Sequence, residues 1–144
     1  MPEITEEQKA QEAIQPKPAH TPSLTEIQGA EPKIRQLRYV CDNPANPAEQ
    51  WEFFLRERPD ARAFYEITAH AEVYEKFDIS AEFARSIANL EIHLVNPATG
   101  NPLYDGIQLI EISKTQGSLI RDLCNYAWSL NSVKSGRIEE LKNA

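Results

Sequence analysis

The stretch NPATGNPLYD, residues 96–105, stands between two apolar runs. The run IANLEIHLV (residues 87–95) precedes it, and GIQLIEI (residues 106–112) follows it. Pro, Asn, Thr and Gly crowd this stretch, and turns favour these residues because each adopts or stabilises a turn conformation. We therefore predict that the chain reverses here between two apolar helices.

In the second half of this stretch, four residues have predicted roles in the turn: Gly100, Pro102, Leu103 and Tyr104. Gly100 can take the positive φ that a tight turn needs, and Pro102 fixes the direction in which the chain leaves. Leu103 and Tyr104 follow at once, and we expect both to staple the next segment onto the core. This interpretation is structural and needs no ligand.

Upstream of the turn, the sequence predicts a helix that begins after Asp78 or Ser80 and runs to about residue 95. Its apolar stripe keeps helical spacing and consists of Phe83, Ile87, Leu90 and Leu94. An alternative remains for LEIHLV (residues 90–95), in which apolar and polar residues alternate as in a half-buried strand. In that alternative the helix gives way to a short strand at residue 91.

Downstream, Asp105 can cap a short apolar turn over residues 106–112. Residues 113–116, SKTQ, match a capping box and predict the start of the last strong helix. That helix carries one apolar face, formed by Leu119, Ile120, Leu123, Ala127 and Leu130 and widened by Cys124 and Trp128. Ser135 and Gly136 mark its end.

The first part of the domain opens with KIRQLRYV (residues 33–40), a short strand or extended lead-in. Asn46, Pro47 and Glu49 resemble the cap and first turn of a helix. We therefore predict a helix over residues 48–58, ended by Pro59, with these residues on or beside one face: Ala48, Trp51, Phe54 and Leu55. We predict another helix over residues 61–76, because four apolar residues there keep helical spacing, namely Phe64, Ile67, Ala71 and Tyr74.

The fold class predicted is mainly α: one small domain of four or five helices, with a short β-strand pair as a variant, preceded by a disordered N-terminal tail. Residues 1–32 contain five of the ten prolines, no aromatic residue, six acidic residues and two basic ones. Such a composition cannot bury enough apolar surface to order itself. Residues 33–135 form the predicted helical domain, and residues 136–144 a polar extension.

The net charge of −7 argues against nucleic acid as a partner, because binding phosphates requires clustered Lys and Arg. No apolar run approaches the about 18 residues of a membrane-spanning helix, and the first residues lack the pattern of a signal peptide. We expect no membrane partner and a cytosolic location. Cys41 and Cys124 are then expected to be free thiols.

Catalytic, cofactor-binding and metal-ligating residues are not predicted. The three histidines, His20, His70 and His93, have no second ligand at metal spacing, and we expect the latter two at a surface or interface. Cys124 lies on an apolar helix face, where a thiol is an inert small hydrophobe. The acidic residues are interpreted as solvated surface. An interaction protein is therefore the favoured class.

Tyr126 and Trp128 are the candidate partner-binding residues. They lie two positions apart near the end of the last strong helix, so their side chains point in different directions. One of them is expected to face away from the core, either as a half-buried amphipathic ring or as an interface anchor.

Residues 83–131 resemble the tail assembly chaperones of long-tailed bacteriophages. In that family an apolar helical segment leads into a turn of the form Asp-x-x-Gly-x-Pro-Leu-aromatic, which here reads Gly100-Asn101-Pro102-Leu103-Tyr104 after Asn96. A short acidic-apolar segment and a Leu-rich helix closing on Leu130-Asn131 follow. Asn96-Pro97 stands where an acid is commoner in the family, and one extra residue precedes Gly100.

The resemblance implies a non-catalytic chaperone that binds the phage tape measure protein and helps recruit tail tube subunits. It also implies a homo-oligomer, located in the host cell cytoplasm and absent from the mature virion. In the family a ribosomal frameshift near the end of the gene often adds the domain that recruits tail tube protein, and Leu141-Lys142-Asn143 permits the slippery heptamer. Two other functions remain open: a small structural virion protein for tail completion or head-tail joining, and a generic helical interaction module.

Overall fold

The computed structural model describes residues 17–132 and Glu139. The chain divides into two compact units, Met1–Pro32 and Lys33–Ala144. In the first, helix α1 (Leu24–Gly29) begins after Ser23, whose Oγ accepts a hydrogen bond from the Glu26 backbone N–H at 3.2 Å. The sequence prediction of a disordered tail lacked this short helix. Residues 1–16 and residues 133–144 apart from Glu139 lie outside the described residues. The predicted helix end at Ser135 and Gly136 and the predicted extension 136–144 fall there.

The second unit opens with an antiparallel hairpin of β1 (Gln36–Asn43) and β2 (Asn46–Arg56). Three cross-strand pairs put their side chains on the face that packs on the core, namely Leu37 with Leu55, Tyr39 with Phe53, and Cys41 with Trp51. The connection is a tight turn in which Asn43 Oδ1 accepts from the Ala45 N–H at 2.9 Å. Such aromatic and aliphatic pairs stabilise a sheet.

The helix predicted over residues 48–58 is wrong, because this segment is strand β2. Trp51, Phe53 and Leu55 share one strand face, and the period of two outweighs the capping pattern around Asn46. Asn46 does use its side chain locally, since its Oδ1 accepts from the Ala48 N–H at 3.2 Å. That bond shapes the start of a strand instead of a helix. The strand predicted near residues 33–40 exists, shifted to 36–43.

Two consecutive helices follow, α2 (Arg62–Tyr74) and α3 (Ala81–His93), and a 3₁₀ turn over Glu75–Phe77 joins them. Asp78 takes a left-handed conformation with φ 58°, and Ser80 caps α3 by accepting from the Phe83 N–H at 3.1 Å. Helix α2 buries Ala63, Ile67, Ala71 and Tyr74 against α3. Phe64, predicted on that face, is exposed instead, because Ala63 occupies the buried position.

Strand β3 (Leu94–Val95) continues directly from α3 and pairs antiparallel with β2, which gives the sheet order β1-β2-β3. Both alternatives for residues 90–95 are therefore partly right. The helix persists through His93, and the strand takes only the last two residues. Of the predicted helix stripe, Ile87, Leu90 and Leu94 are buried, while Phe83 is half-buried.

Helices α4 (Gly106–Ser113) and α5 (Gly117–Ser132) complete the fold. Asp105 caps α4 in a full capping box with Gln108, whereas the capping box predicted at Ser113 is wrong. The Ser113 hydroxyl donates to the Ile110 carbonyl at 2.6 Å and ends α4. The predicted face of α5 is confirmed, with the following residues buried: Ile120, Leu123, Cys124, Ala127 and Leu130.

Arg35 ties the hairpin to the end of α5. Its guanidinium donates to the Glu57 carboxylate at 2.8 and 2.9 Å and to the Leu130 carbonyl at 3.0 Å. The side-chain hydrogen bonds from Arg35 lower the pKa of Glu57 to about 2. The last turn of α5 thereby gains a donor for a carbonyl that the helix itself leaves unpaired.

The described residues thus form five α-helices and a three-stranded antiparallel sheet. The prediction of a largely helical domain is right in part, since the sheet is larger than the strand pair foreseen. One apolar core lies between the inner face of the sheet and the helices, with α5 packed on both α3 and β2. Within residues 17–132, no helix is long and apolar enough to cross a membrane.

Candidate functional site

The predicted turn at residues 96–105 forms as a closed reversal. The Asn96 carbonyl accepts from the Gly100 N–H at 2.7 Å, and the Asn96 N–H donates to the Asn101 carbonyl at 2.8 Å. Gly100 has φ 74°, as predicted. Pro102 then bridges to Val95 beside the sheet. These bonds fix where the chain emerges after the turn.

Leu103 and Tyr104 are half-buried and pack against the core, which confirms the predicted staple. The Leu103 N–H donates to the Leu94 carbonyl at 2.9 Å, so the segment continues the edge of the sheet. The backbone therefore holds both side chains against β2 on one side and leads into α4 on the other.

An apolar groove of about 500 Å³ lies where this segment meets β2, α4 and α5. Five half-buried apolar side chains form its rim, namely Trp51, Leu103, Tyr104, Ile112 and Leu119. Buried core residues, among them Phe53, Leu109 and Leu123, form its floor. Glu52 and Gln116 add polar groups at its edge. We call this surface the apolar groove.

Tyr126 and Trp128, the predicted partner-binding residues, point to different sides of α5. Tyr126 is 47% exposed, and its ring centroid lies 5.5 Å from that of Tyr39. Trp128 is half-buried and donates from Nε1 to the Ser86 hydroxyl at 3.2 Å. Tyr126 is therefore the residue that faces away from the core. Neither side chain lines the apolar groove, so the structure does not bring them together with the motif turn.

Sequence reasoning missed a buried acid, Glu91, which is only 6% exposed. Its carboxylate accepts hydrogen bonds from the Tyr74 hydroxyl and the Gly106 backbone N–H, and it contacts His70 Nδ1. Burial and the hydrogen bond to Glu91 raise the pKa of Tyr74. We call these four residues the Glu91 cluster, and the interpretation of Glu91 as solvated surface is wrong.

The Glu91 cluster joins α2, α3 and the start of α4. A carboxylate at a helix N-terminus satisfies an unpaired N–H and complements the helix dipole. A hollow lined by His70, Tyr74 and Glu91 is also lined by Leu103 and Tyr104. The segment that forms one wall of the apolar groove therefore lies beside the Glu91 cluster and leads into Gly106, whose N–H binds the Glu91 carboxylate.

His93 corrects a second expectation, because it is 1% exposed rather than at a surface. Its Nδ1 donates to the Asn89 carbonyl at 2.7 Å, and burial lowers its pKa. Burial outweighs the opposing effect of this hydrogen bond and favours a neutral histidine in the core. His70 remains half-exposed, and His20 lies in the first unit within 2.6 Å of Glu26.

The two cysteines are free thiols in the structure. Burial raises the pKa of Cys124 to about 11, and burial also raises the pKa of Cys41. A thiol with a raised pKa holds little thiolate, which is the reactive form. Among residues 17–132 and Glu139, no group of three or more His, Cys, Asp or Glu side chains is placed to hold a metal ion.

The apolar groove can bind an apolar surface of a partner. The buried polar groups of the Glu91 cluster hold α2, α3 and the start of α4 together. Pockets that bind ligands are concave and mostly apolar, with a few polar groups at defined positions, and the groove has this character.

No protein-family model, curated protein or solved structure matches this chain.

Gly106→Ala is expected to destabilise the protein by about 1–3 kcal/mol. A Cβ at this position would lie 2.1 Å from Tyr74 Cζ and 2.4 Å from its hydroxyl oxygen, so the buried ring must leave its place beside Glu91. Urea unfolding measures the change. Gly117→Ala is the matched control, because its Cβ would have nothing within 4 Å. Equal effects of the two substitutions would contradict the packing described.

Proposed function

We propose that this protein is a non-catalytic chaperone of phage tail assembly, which binds an apolar helix face of the tape measure protein in the apolar groove. The observation that carries the proposal is the position of Leu103 and Tyr104. These two residues belong to the turn that resembles the chaperone family, and they also line the groove. The motif and the candidate binding surface therefore coincide.

The size and lining of the groove support a helix face as the bound group. Its volume of about 500 Å³ suits a few anchor side chains, while a whole helix is about 10 Å across. Amphipathic helices dock in this way, with apolar anchors at positions i, i+3 or i+4 and i+7. Glu52 and Gln116 also line the groove and offer polar groups to the polar flank of such a helix.

The mechanism follows from burial alone. Large exposed apolar patches lead to aggregation, so a protein that covers the apolar face of a long helical client keeps that client soluble. Each contact is small, but many copies along one client increase the total affinity through avidity. Recruitment of tail tube subunits, action in the host cell cytoplasm and absence from the mature virion belong to the same proposal, and the family resemblance supports them.

Co-expression tests the proposal directly. The tape measure protein of the same phage is expressed with the wild-type chain or with Leu119→Glu, and the soluble fraction of the client is measured. We expect the wild type to raise this fraction and Leu119→Glu to lose most of the effect, because a carboxylate on the rim opposes an apolar anchor.

Ile107→Glu is the matched control, since Ile107 is 46% exposed on α4 and does not line the groove. It should protect the client as well as the wild type does, and thermal unfolding should show all three chaperone chains folded. Full protection by folded Leu119→Glu would remove the groove from the proposal. Stoichiometric amounts of the protein in purified virions would favour a structural virion role instead.

A further inference from the structure

Strand β1 forms one edge of the sheet, since the strand order is β1-β2-β3. Just before it, the Arg35 carbonyl accepts from the Glu57 N–H at 2.9 Å. Along an antiparallel ladder, residues whose backbone groups face the partner strand alternate with residues whose groups face away. Four residues of β1 therefore turn their N–H and C=O groups away from β2, namely Gln36, Arg38, Val40 and Asp42. Within residues 17–132, no hydrogen bond from outside the sheet reaches these groups.

The core-facing side chains of β1 are less covered than those of β2. Leu37, Tyr39 and Cys41 are half-buried. Leu55, which lies opposite Leu37 on β2, is fully buried. A hollow of about 310 Å³ lies between β1 and α5, where the exposed ring of Tyr126 packs beside Tyr39. We call it the edge hollow, and its lining consists of Leu37, Arg38, Tyr39, Val40, Leu55 and Tyr126. None of these residues lines the apolar groove.

An exposed strand edge determines which kind of partner can bind. A row of unpaired backbone groups accepts an extended chain, in which main-chain hydrogen bonds give affinity and pockets for alternate side chains give specificity. Many proteins protect such an edge with a proline or a bulge. Strand β1 contains no proline, and its register shifts only at its end, between Asp42 and Asn43. The rest of the edge is therefore regular enough to pair with a further strand.

The charges around β1 indicate one polar preference of that strand. The basic residues beside the edge already have acidic partners, namely Arg35 with Glu57, Arg38 with Glu52 and Arg121 with Asp122. Asp42 is exposed and forms no ion pair among the described residues. It lies three positions after Tyr39, so an added strand that fills the edge hollow also passes this carboxylate. A basic residue there would complement it.

We propose that β1 is a docking edge for an extended segment of another protein, which adds to the sheet beside β1 as a fourth strand. The backbone of the segment pairs with the outward groups of β1. One apolar side chain of the segment fills the edge hollow against Tyr126, and a Lys or Arg a few residues away pairs with Asp42. The proposal rests on β1 and α5 and is independent of the function of the apolar groove.

Selected peptides provide the probe. A random library of eight-residue peptides is selected for binding to the full chain, after depletion on Val40→Pro. That substitution removes an outward N–H and leaves the bonds to β2, a position where an edge strand tolerates proline. Thermal unfolding checks that the variant is folded, and Arg38→Pro replaces it otherwise. We expect the surviving peptides to combine an apolar residue with a Lys or Arg.

Hydrogen exchange then locates the bound peptide. In the free chain the amides of Gln36, Arg38 and Val40 should exchange faster than those of Leu37 and Tyr39, which bond to β2. A bound peptide should slow the first set about tenfold or more, because its carbonyls accept from these N–H groups. Methylation of the peptide nitrogens that face β1 should abolish binding. Methylation of the alternate nitrogens, which face away, is the matched control and should leave binding intact.

Substitution of the edge hollow tests the side-chain part. Tyr126→Ala should weaken the peptide about tenfold or more, as for an aromatic anchor. Tyr65→Ala is the matched control, because Tyr65 is exposed on α2 and does not line the edge hollow, and it should bind as the wild type does. The proposal is overturned if no peptide survives the depletion, or if the survivors leave exchange at the outward amides unchanged. A free chain that is a dimer, and that Val40→Pro makes monomeric, would show a second copy at this edge instead.

Discussion

Glu91→Ala is expected to lower the free energy of unfolding by about 2–5 kcal/mol, because each buried donor left without an acceptor costs about 1–3 kcal/mol. The substitution takes away the acceptor of two donors, the buried Tyr74 hydroxyl and the Gly106 N–H. Each would stay buried without a partner, and unsatisfied buried donors are costly. It also leaves a cavity where three helices meet. Urea unfolding, followed by tryptophan fluorescence, measures the loss.

Two variants calibrate that result. Glu111→Ala removes an exposed acid of α4 whose carboxylate pairs with Lys114 at the surface, so it should change stability by about 0.5 kcal/mol or less. Glu91→Gln keeps an acceptor oxygen of nearly the same shape and should fall between the two alanine variants. If Glu91→Ala were as mild as Glu111→Ala, the carboxylate would not hold α4 in place. Loss of client protection by Glu91→Ala would in turn connect the Glu91 cluster to the wall of the groove.

The error over residues 48–58 shows what local pattern leaves undecided. Trp51 and Leu55 are four residues apart, a spacing that places them on one helix face and also on one strand face. The deciding residues are Leu37, Tyr39 and Cys41 in β1, which supply the opposite half of each cross-strand pair. That information lies in another part of the chain, so pairing settles what the segment alone does not.

Helix α5 and its buried face, by contrast, could be predicted from the local sequence. Helix α5 spans 16 residues, long enough for the helical period to exceed any strand alternative, and its predicted apolar face is the buried one. The turn was equally readable, because Gly100 and the prolines restrict the backbone whatever surrounds them. Local conformational limits and long periodic patterns were thus sufficient for the elements that build two sides of the groove.

The Glu91 cluster marks the opposite case. In IANLEIHLV an acid stands between apolar residues, a pattern typical of the solvent-exposed face of a strand or a helix. Nothing in the local sequence shows that Glu91 is buried. Its donors come from α2 and from the start of α4, at positions 74 and 106. The one available signal was the charge itself inside an apolar run, since a buried charge requires partners. His93 was misplaced for the same reason.

Leu123→Ala is expected to cost about 2–5 kcal/mol, since it deletes a core side chain and leaves a cavity that the surroundings fill only in part. Leu123 is 1% exposed and belongs both to the core and to the floor of the apolar groove. Leu24→Ala is the matched control, because Leu24 is 71% exposed and should change stability by about 0.5 kcal/mol or less. Urea unfolding of both variants gives the comparison. A cost near zero for Leu123→Ala would mean that this face of α5 is an interface left empty in the single chain, and the groove would then be the open part of a larger contact surface.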